Sequence, residues 1–386
     1  MRLVTVTSRF PYPIERGDKL RAHHQLRVLA QRHDVALIAL SEGPVPDGDR
    51  RIVSDLGVEV HVVQRSRLDT VRSTASGVLG GRPIQVGYFM APRVRAEVAR
   101  LLERLQPDHL YCQLVRTAWA NDAGRVRSTI DYQDAFAAAM RRRGANRAAP
   151  VRVLFDREAD RIGRCERAAF DAFDNQVVIS EQDRRLLEVP VPETVDVVPN
   201  GVDTDHFSPR GSTPADGVDI AFVGNMGYPP NVRASRMLVE EIVPALGGSP
   251  TVLLAGARPS RSVRRLAGPG VEVTGWMPDI RDAYARASVM VAPLFIGAGL
   301  QNKILEAMAM GVPCVTTTLV NDSIGAERGR EIMVADNPAD LAQATAELLE
   351  SPGRRAEISE AARAMVIDRF SWGAVGDKLT SIFERR

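Results

Sequence analysis

The stretch SVMVAPL-FIGAG-LQNKILEAMAM-GVPCVTTT, residues 288–318, contains a complete strand–loop–helix–strand unit. Ser288–Leu294 is a short apolar run, and the loop after it carries Gly297 and Gly299. A helical pattern then starts near Leu300 and stops sharply at Gly311 and Pro313, where Pro313–Thr318 resumes a strand pattern. A short helix between two buried strands needs apolar volume, which Met308 and Met310 supply as core filler. Such units build parallel sheets flanked by helices, so the class expected is α/β.

The same alternation runs through the whole chain. In the first half the expected strands are Arg2–Thr7, Asp34–Leu40, Val58–Val63, His109–Leu114, Ser128–Tyr132, Gln176–Ser180 and Val195–Pro199. In the second half they are Asp219–Gly224, Thr251–Gly256, Val271–Gly275, Ser288–Leu294, Pro313–Thr318 and Ile332–Ala335. Between the two sets lie Pro199-Asn200-Gly201 and the run from Phe207 to Pro214, dense in turn formers. Two doubly wound, Rossmann-like domains follow, residues 1–205 and 206–367, with ligands expected at the carboxyl ends of the strands.

Composition agrees with that division. At roughly one domain per 150 residues, 386 residues suggest two domains, and 45% hydrophobic with 25% charged residues is globular. Lys and Arg number 50 against 48 Asp and Glu, a net charge of +2, so dedicated nucleic-acid binding is not expected. Cys112, Cys165 and Cys314 show no CxxC spacing, which argues against a disulfide framework or zinc site and for a reducing cytoplasm. The start at Met1 lacks a signal-peptide pattern, and Val289–Leu300 falls short of the ~20 apolar residues that cross a bilayer.

Three strand-to-helix loops carry candidate chemistry. After the first strand, Gly17-Asp18-Lys19 opens a helix with Ala22, Leu26, Leu29 and Ala30 on one face. Gly17 permits close backbone approach and the helix start suits an anion, while Asp18 fits a helix cap equally well. Gly224-Asn225-Met226-Gly227-Tyr228-Pro229-Pro230-Asn231-Val232-Arg233 again sets glycine and unpaired, anion-suited amides at a helix start. It matches neither a dinucleotide GxGxxG nor a P-loop, and a plain Asn-capped turn fits it as well. Finally, Asn302, Lys303 and Glu306 share one helical turn. Lys303 suits a diphosphate and Glu306 suits ribose hydroxyls, although an ordinary i,i+3 surface pair has the same spacing.

These residues resemble the large retaining glycosyltransferase family 4, or group 1, of the GT-B fold, over nearly the whole chain. The resemblance is carried by Val198-Pro199-Asn200-Gly201-Val202-Asp203 with Phe207, by Phe222-Val223-Gly224, by Gly275-Trp276 before Ile280, and by Leu305-Glu306-Ala307-Met308-Ala309 before Gly311-Val312-Pro313. Phe10-Pro11-Tyr12-Pro13, Gly17-Asp18-Lys19, Met226–Val232 and Gln301-Asn302-Lys303 look like a branch that includes sugar transferases of bacterial exopolysaccharide clusters.

The resemblance implies two Rossmann-like domains facing across a cleft, with the final helix, 368–386, crossing back onto the first domain and Trp372 as its anchor. It implies transfer of a sugar from a UDP- or GDP-linked donor to an acceptor, with retained configuration and neither metal nor cofactor. In polysaccharide, glycoconjugate or natural-product synthesis the acceptor would be a small molecule or a lipid-linked glycan. Two departures stand out: Ala298 replaces the family's first glutamate of a Glu-x7-Glu pair, and the first-domain histidine has no match. Asn225 and Asn231 also stand where the family tends to carry an Arg and a Lys, so Arg233 and Lys303 are expected to supply the catalytic charge.

Donor contacts are expected from Gly17, Gly224, Asn225, Asn231, Trp276, Met277, Gly297, Ala298, Gly299, Leu300, Gln301, Asn302 and Glu306. Acceptor contacts are expected from Arg9, Asp18, Lys19, His24, Gln113, Arg116, Asp131 and Asp134, where Asp134 is equally an N-cap. The arginines at 141–143, with Arg147 and Arg152, fit a solvated face first, and otherwise an acidic acceptor or anionic lipid headgroups at the inner face of a membrane. An epimerase of the same architecture and a non-catalytic nucleotide-sugar binder remain as alternatives.

Overall fold

The structure, a computed structural model, describes residues 1–66, 70–71, 73–74, 77, 80–122, 126–145, 147–211, 216–296 and 300–385. Gly297, Ala298 and Gly299 lie outside the described residues. The chain divides into two compact units, Met1–Pro199 with Val375–Arg386, and Asn200–Ala374.

The first unit is built on seven parallel strands in the order β3-β2-β1-β4-β5-β6-β7. They are β1 (Arg2–Thr7), β2 (Asp34–Ser41), β3 (Val58–Gln64), β4 (His109–Gln113), β5 (Arg127–Gln133), β6 (Asn175–Val178) and β7 (Asp196–Val197). Strand order across the sheet reverses between β1 and β4, which places a ligand crevice at the carboxyl ends of those two strands. Val35–Leu40 is buried without alternation, because helices cover both faces of a parallel sheet.

The second unit has six parallel strands in the order β10-β9-β8-β11-β12-β13. These are β8 (Val218–Val223), β9 (Val252–Ala255), β10 (Val271–Gly275), β11 (Ala287–Ala292), β12 (Cys314–Thr316) and β13 (Met333–Val334). The order reverses between β8 and β11. The helix Asn302–Ala309 leaves the β11 side of that switch and buries Ile304, Leu305, Ala307, Met308 and Ala309 in the core.

The units part at Pro199–Asn200, a few residues before the expected 205/206 junction. Pairing explains the shift: Val202 bridges to Ser371, and the Phe207 ring lies 6.3 Å from that of Tyr284 in the core of the second unit. Trp372 is buried against Gly201, where a Cβ would come within 2.5 Å of the indole. The glycine of Asn200-Gly201-Val202-Asp203 is therefore a packing requirement, and Trp372 is the structural anchor of this junction.

At the C-terminus the first unit takes only Val375 onward, and the helix Pro352–Phe370 belongs to the second. Phe383 packs its ring 4.7 Å from His109 and 5.3 Å from Tyr111, and Asp377 and Thr380 pair with Arg32 and His33.

Candidate functional site

In the second unit, the helices that follow β8 and β11, Pro229–Met237 and Asn302–Ala309, meet at the strand-order reversal. Asn231, near the start of the helix Pro229–Met237, is buried and its amide works in two directions. Its Nδ2 donates to the Asn225 carbonyl at 2.9 Å, while its Oδ1 accepts from Lys303 Nζ at 2.6 Å. Lys303 also stands 5.0 Å over the Phe222 ring. One amide thus holds the first loop in shape and aims the ammonium of the second, which makes Asn231 a positioning residue.

Glycine is required beside that contact. A Cβ at Gly224 would fall 2.8 Å from Asn231 Nδ2 and 3.0 Å from Lys303 Nζ, pushing the pair apart. Two further features shape the loop: Asn225 Oδ1 accepts from the Gly227 amide at 3.0 Å, and Gly227 packs on the Arg258 carbonyl. Pro229 and Pro230 open the helix, and neither has an N–H. The anion-binding amides expected at this helix start are therefore largely missing, so charge here must come from side chains.

Burial pulls the Lys303 ammonium down to about 8, against an upward pull from Glu306. Burial likewise raises the Glu306 carboxyl, opposed by the Tyr284 hydroxyl, which donates to Glu306 Oε2 at 2.8 Å, and by Lys303. Glu306 is thus anchored on one oxygen, beyond the surface pair that spacing alone allows. Arg233 is exposed and pairs with no acid among the described residues. Trp276, after β10, is 72% exposed, while Met277 is half-buried against the core. Leu300, Gln301 and Asn302 are half-buried where the helix begins.

Sequence reasoning passed over the loop after β9. Its Arg258 is exposed at φ +56, beside Gly227, on the same carboxyl edge as Lys303. The signal was present as an arginine in Gly256-Ala257-Arg258-Pro259, directly behind an expected strand.

In the first unit, Arg9, Asp18, Lys19 and Gln113 line one small pocket with Thr7, Ser8, Ala22 and Leu114, at the reversal between β1 and β4. Asp18 forms an ion pair with Arg9 and does not cap its helix, whose first residue Gly17 is exposed. His24 is half-buried, with its ring edge-on to His23 at 5.4 Å. Asp134 is exposed at the end of β5.

Asp131 departs from the acceptor role expected of it, because it is fully buried. Its carboxylate accepts from Arg21 Nε at 2.7 Å, from Tyr111 Oη at 2.6 Å and from the Gln133 amide at 3.0 Å. Arg21 itself is 0% exposed and donates onward to the carbonyls of Val198 and Pro199. Gln113 is partly committed as well, since it donates to Gln25 within this network. Gln133 and Leu114 hold positive φ, 65° and 67°, at the ends of β5 and β4, a strained backbone for residues with side chains.

Among the described residues no group of three or more His, Cys, Asp or Glu side chains is placed to hold a metal, and no helix is long and apolar enough to cross a membrane.

Comparison with known proteins bears on this geometry. Residues 217–351 match the family described as glycosyl transferases group 1. The chain is 28% identical over 259 residues to alpha-maltose-1-phosphate synthase of Mycolicibacterium smegmatis, covering 57% of this chain and 65% of that protein. It is 25% identical over 218 residues to a GDP-mannose-dependent monoacylated alpha-(1-6)-phosphatidylinositol monomannoside mannosyltransferase of Corynebacterium glutamicum, covering 50% and 56%. The chain thus matches less than two thirds of the length of either relative. Among solved structures, Anabaena Alr3699/HepE in complex with UDP superposes with a TM-score of 0.67 at 14% identity, covering 99% of both chains. Sucrose-phosphate synthase from Thermosynechococcus elongatus gives 0.66 at 15%, covering 99% and 98%. The fold is GT-B.

Proposed function

We propose that the chain is a retaining glycosyltransferase that moves a sugar from a nucleotide-diphosphate donor to an acceptor oxygen or similar nucleophile, without a required metal. The observation that carries this reading is the Lys303–Asn231 contact at the strand-order reversal, inside the segment that matches group 1 glycosyltransferases. A half-buried ammonium beside two loop termini is suited to a diphosphate, and Glu306 on the next turn is suited to hydroxyls. UDP in the HepE complex and the GDP-mannose dependence of the Corynebacterium relative make uridine and guanosine diphosphate sugars the donors to try first.

In the step proposed, the bond from the anomeric carbon to the β-phosphate oxygen breaks while an acceptor oxygen bonds to the same face. The departing phosphate oxygen takes the acceptor's proton, so no strong protein base is required. Lys303, with Arg233, offsets the charge that grows on the leaving diphosphate, an electrostatic effect that counts for more away from bulk water. The first unit supplies the acceptor contacts from Arg9, Lys19 and Gln113. The enzyme would work in the cytoplasm, with the arginines around 141–152 available for peripheral contact with a membrane. The test is the product formed from UDP-glucose or GDP-mannose with chelator present. An α-linked product supports the reading, and an inverted product or a chelator-abolished reaction contradicts it.

Two further outcomes follow from this site. Because the free ammonium of Lys303 titrates at about 8 and a bound diphosphate favours its charged form, nucleotide binding takes up a proton near that pH. Affinity should be highest below pH 8 and fall about tenfold as the pH rises towards 9.5, which calorimetry at stepped pH would show. Lys303→Arg should flatten that profile. Trp276→Ala should weaken nucleotide binding by about 1–3 kcal/mol, the range for one stacked base, and leave the melting temperature unchanged because the indole is exposed. A melting temperature that falls instead would give Trp276 a packing role in place of the stacking one.

A further inference from the structure

Arg116 lies in the 3-10 turn Val115–Asn121, two residues past Leu114 and its positive φ. Its guanidinium carbon stands 5.2 Å from the Phe136 ring centre and 5.7 Å from that of Phe89. Its Nε is buried and makes no hydrogen bond, and no carboxylate lies within ion-pairing distance among the described residues. Arg116 as a whole is half-buried; the two fully buried arginines of this unit are answered differently, Arg21 by Asp131 and two carbonyls, and Arg65 by Glu42 and the Tyr88 carbonyl. Arg65 shares the aromatic faces, 4.5 Å from the Tyr88 and Phe89 rings, and an unbonded Nε, so what sets Arg116 apart from the other two is that it has no direct carboxylate partner.

The charged groups that act on it are Arg9, Asp18, Asp134 and Arg143. Arg9 and Asp18 neutralise each other in their ion pair. That leaves Arg116 and Arg143 against Asp134, an exposed carboxylate whose charge Asp183 disfavours and the two arginines favour. Desolvation is the largest influence on Arg116 and disfavours its charge, so the fold holds a cation at some cost in this position, with Asp134 acting on it from beyond ion-pair distance and no carboxylate bonded to it. A guanidinium lodged beside rings, which take no hydrogen bonds from it in the plane, can turn its terminal N–H groups to fork onto a planar or tetrahedral oxyanion.

We propose that Arg116 binds an anionic oxygen group, phosphate or carboxylate, carried by the acceptor. This rests on the reading that the first unit takes the acceptor, and it narrows that acceptor from any hydroxyl compound to an acidic one. Arg143 stands by as a secondary charge, while Arg116 supplies the directional contact.

The experiment is calorimetric titration of the full chain, with saturating UDP or GDP occupying the diphosphate site, against three probes: glucose 1-phosphate, glucuronate and glucose. Wild type should bind at least one acidic probe about tenfold or more tighter than glucose, the scale of one charge-assisted contact, and the better of the two names the group. Arg116→Gln should erase that preference and leave nucleotide affinity unchanged, with the melting curve confirming a folded protein. Arg116→Lys, which keeps the charge and loses the fork, should keep only part of it, and serves if the Gln variant does not fold. Equal binding of glucose and the acids by wild type, or a preference that survives in Arg116→Gln, overturns the proposal. So does a matching loss of nucleotide affinity, which would assign Arg116 to the donor. Acid binding through Arg116 with no nucleotide binding by wild type would uphold the site while removing the transferase reading.

Discussion

Lys303→Ala is expected to lower kcat by about 10²–10³-fold, the loss seen when one preorganised group facing developing charge is removed. The argument rests on direction as well as charge. Asn231 Oδ1 holds the ammonium at 2.6 Å, and Phe222 lies beneath it, so the cation is in place before a donor arrives. Asn231→Ala, which removes the guide and keeps the charge, should cost less than Lys303→Ala and should act more on kcat than on KM. Glu306→Gln should act mainly on donor affinity, since the Tyr284 contact already holds the side chain in its rotamer. Steady-state rates with an identified donor and acceptor measure all three, and turnover unaltered in Lys303→Ala would remove the leaving-group role.

Arg21→Met is expected to destabilise the first unit by about 3–5 kcal/mol, because it strands a carboxylate in the interior. Arg21 and Asp131 are both fully buried, and the guanidinium also answers the Val198 and Pro199 carbonyls at the end of that unit's chain segment. The double change Arg21→Met with Asp131→Asn should be less destabilised than Arg21→Met alone, since no unpaired charge then remains buried. Urea denaturation of the full chain checks both, and a single-variant loss under about 1 kcal/mol would show that the pair is better solvated than its burial implies.

That buried pair also marks where the sequence became unreadable. Every expected strand is present with ends shifted by no more than a residue or two, because strands buried on both faces write themselves as apolar runs closed by Gly and Pro. In the β5 pattern, however, an aspartate that ends a strand towards solvent looks the same as one that enters the core to meet Arg21, 110 residues away. The Lys303–Glu306 spacing was legible on one helical turn, whereas the Asn231 amide that aims Lys303 comes from 72 residues earlier and depends on sheet order. Leu114 and Gln133 give no glycine or asparagine signal for their positive φ. The helix start at Pro229 looked like an amide-rich anion site, and the two prolines that begin it remove most of those donors.

The measurement that bears most directly on the central claim is calorimetric titration of wild type and Lys303→Ala with UDP and GDP at pH 7. The predicted result is that one nucleotide binds wild type selectively and that Lys303→Ala weakens it about tenfold or more, as expected for loss of one charge-assisted contact. No binding of either nucleotide at millimolar concentration, or equal affinity in the two proteins, would contradict a diphosphate site at the reversal between β8 and β11.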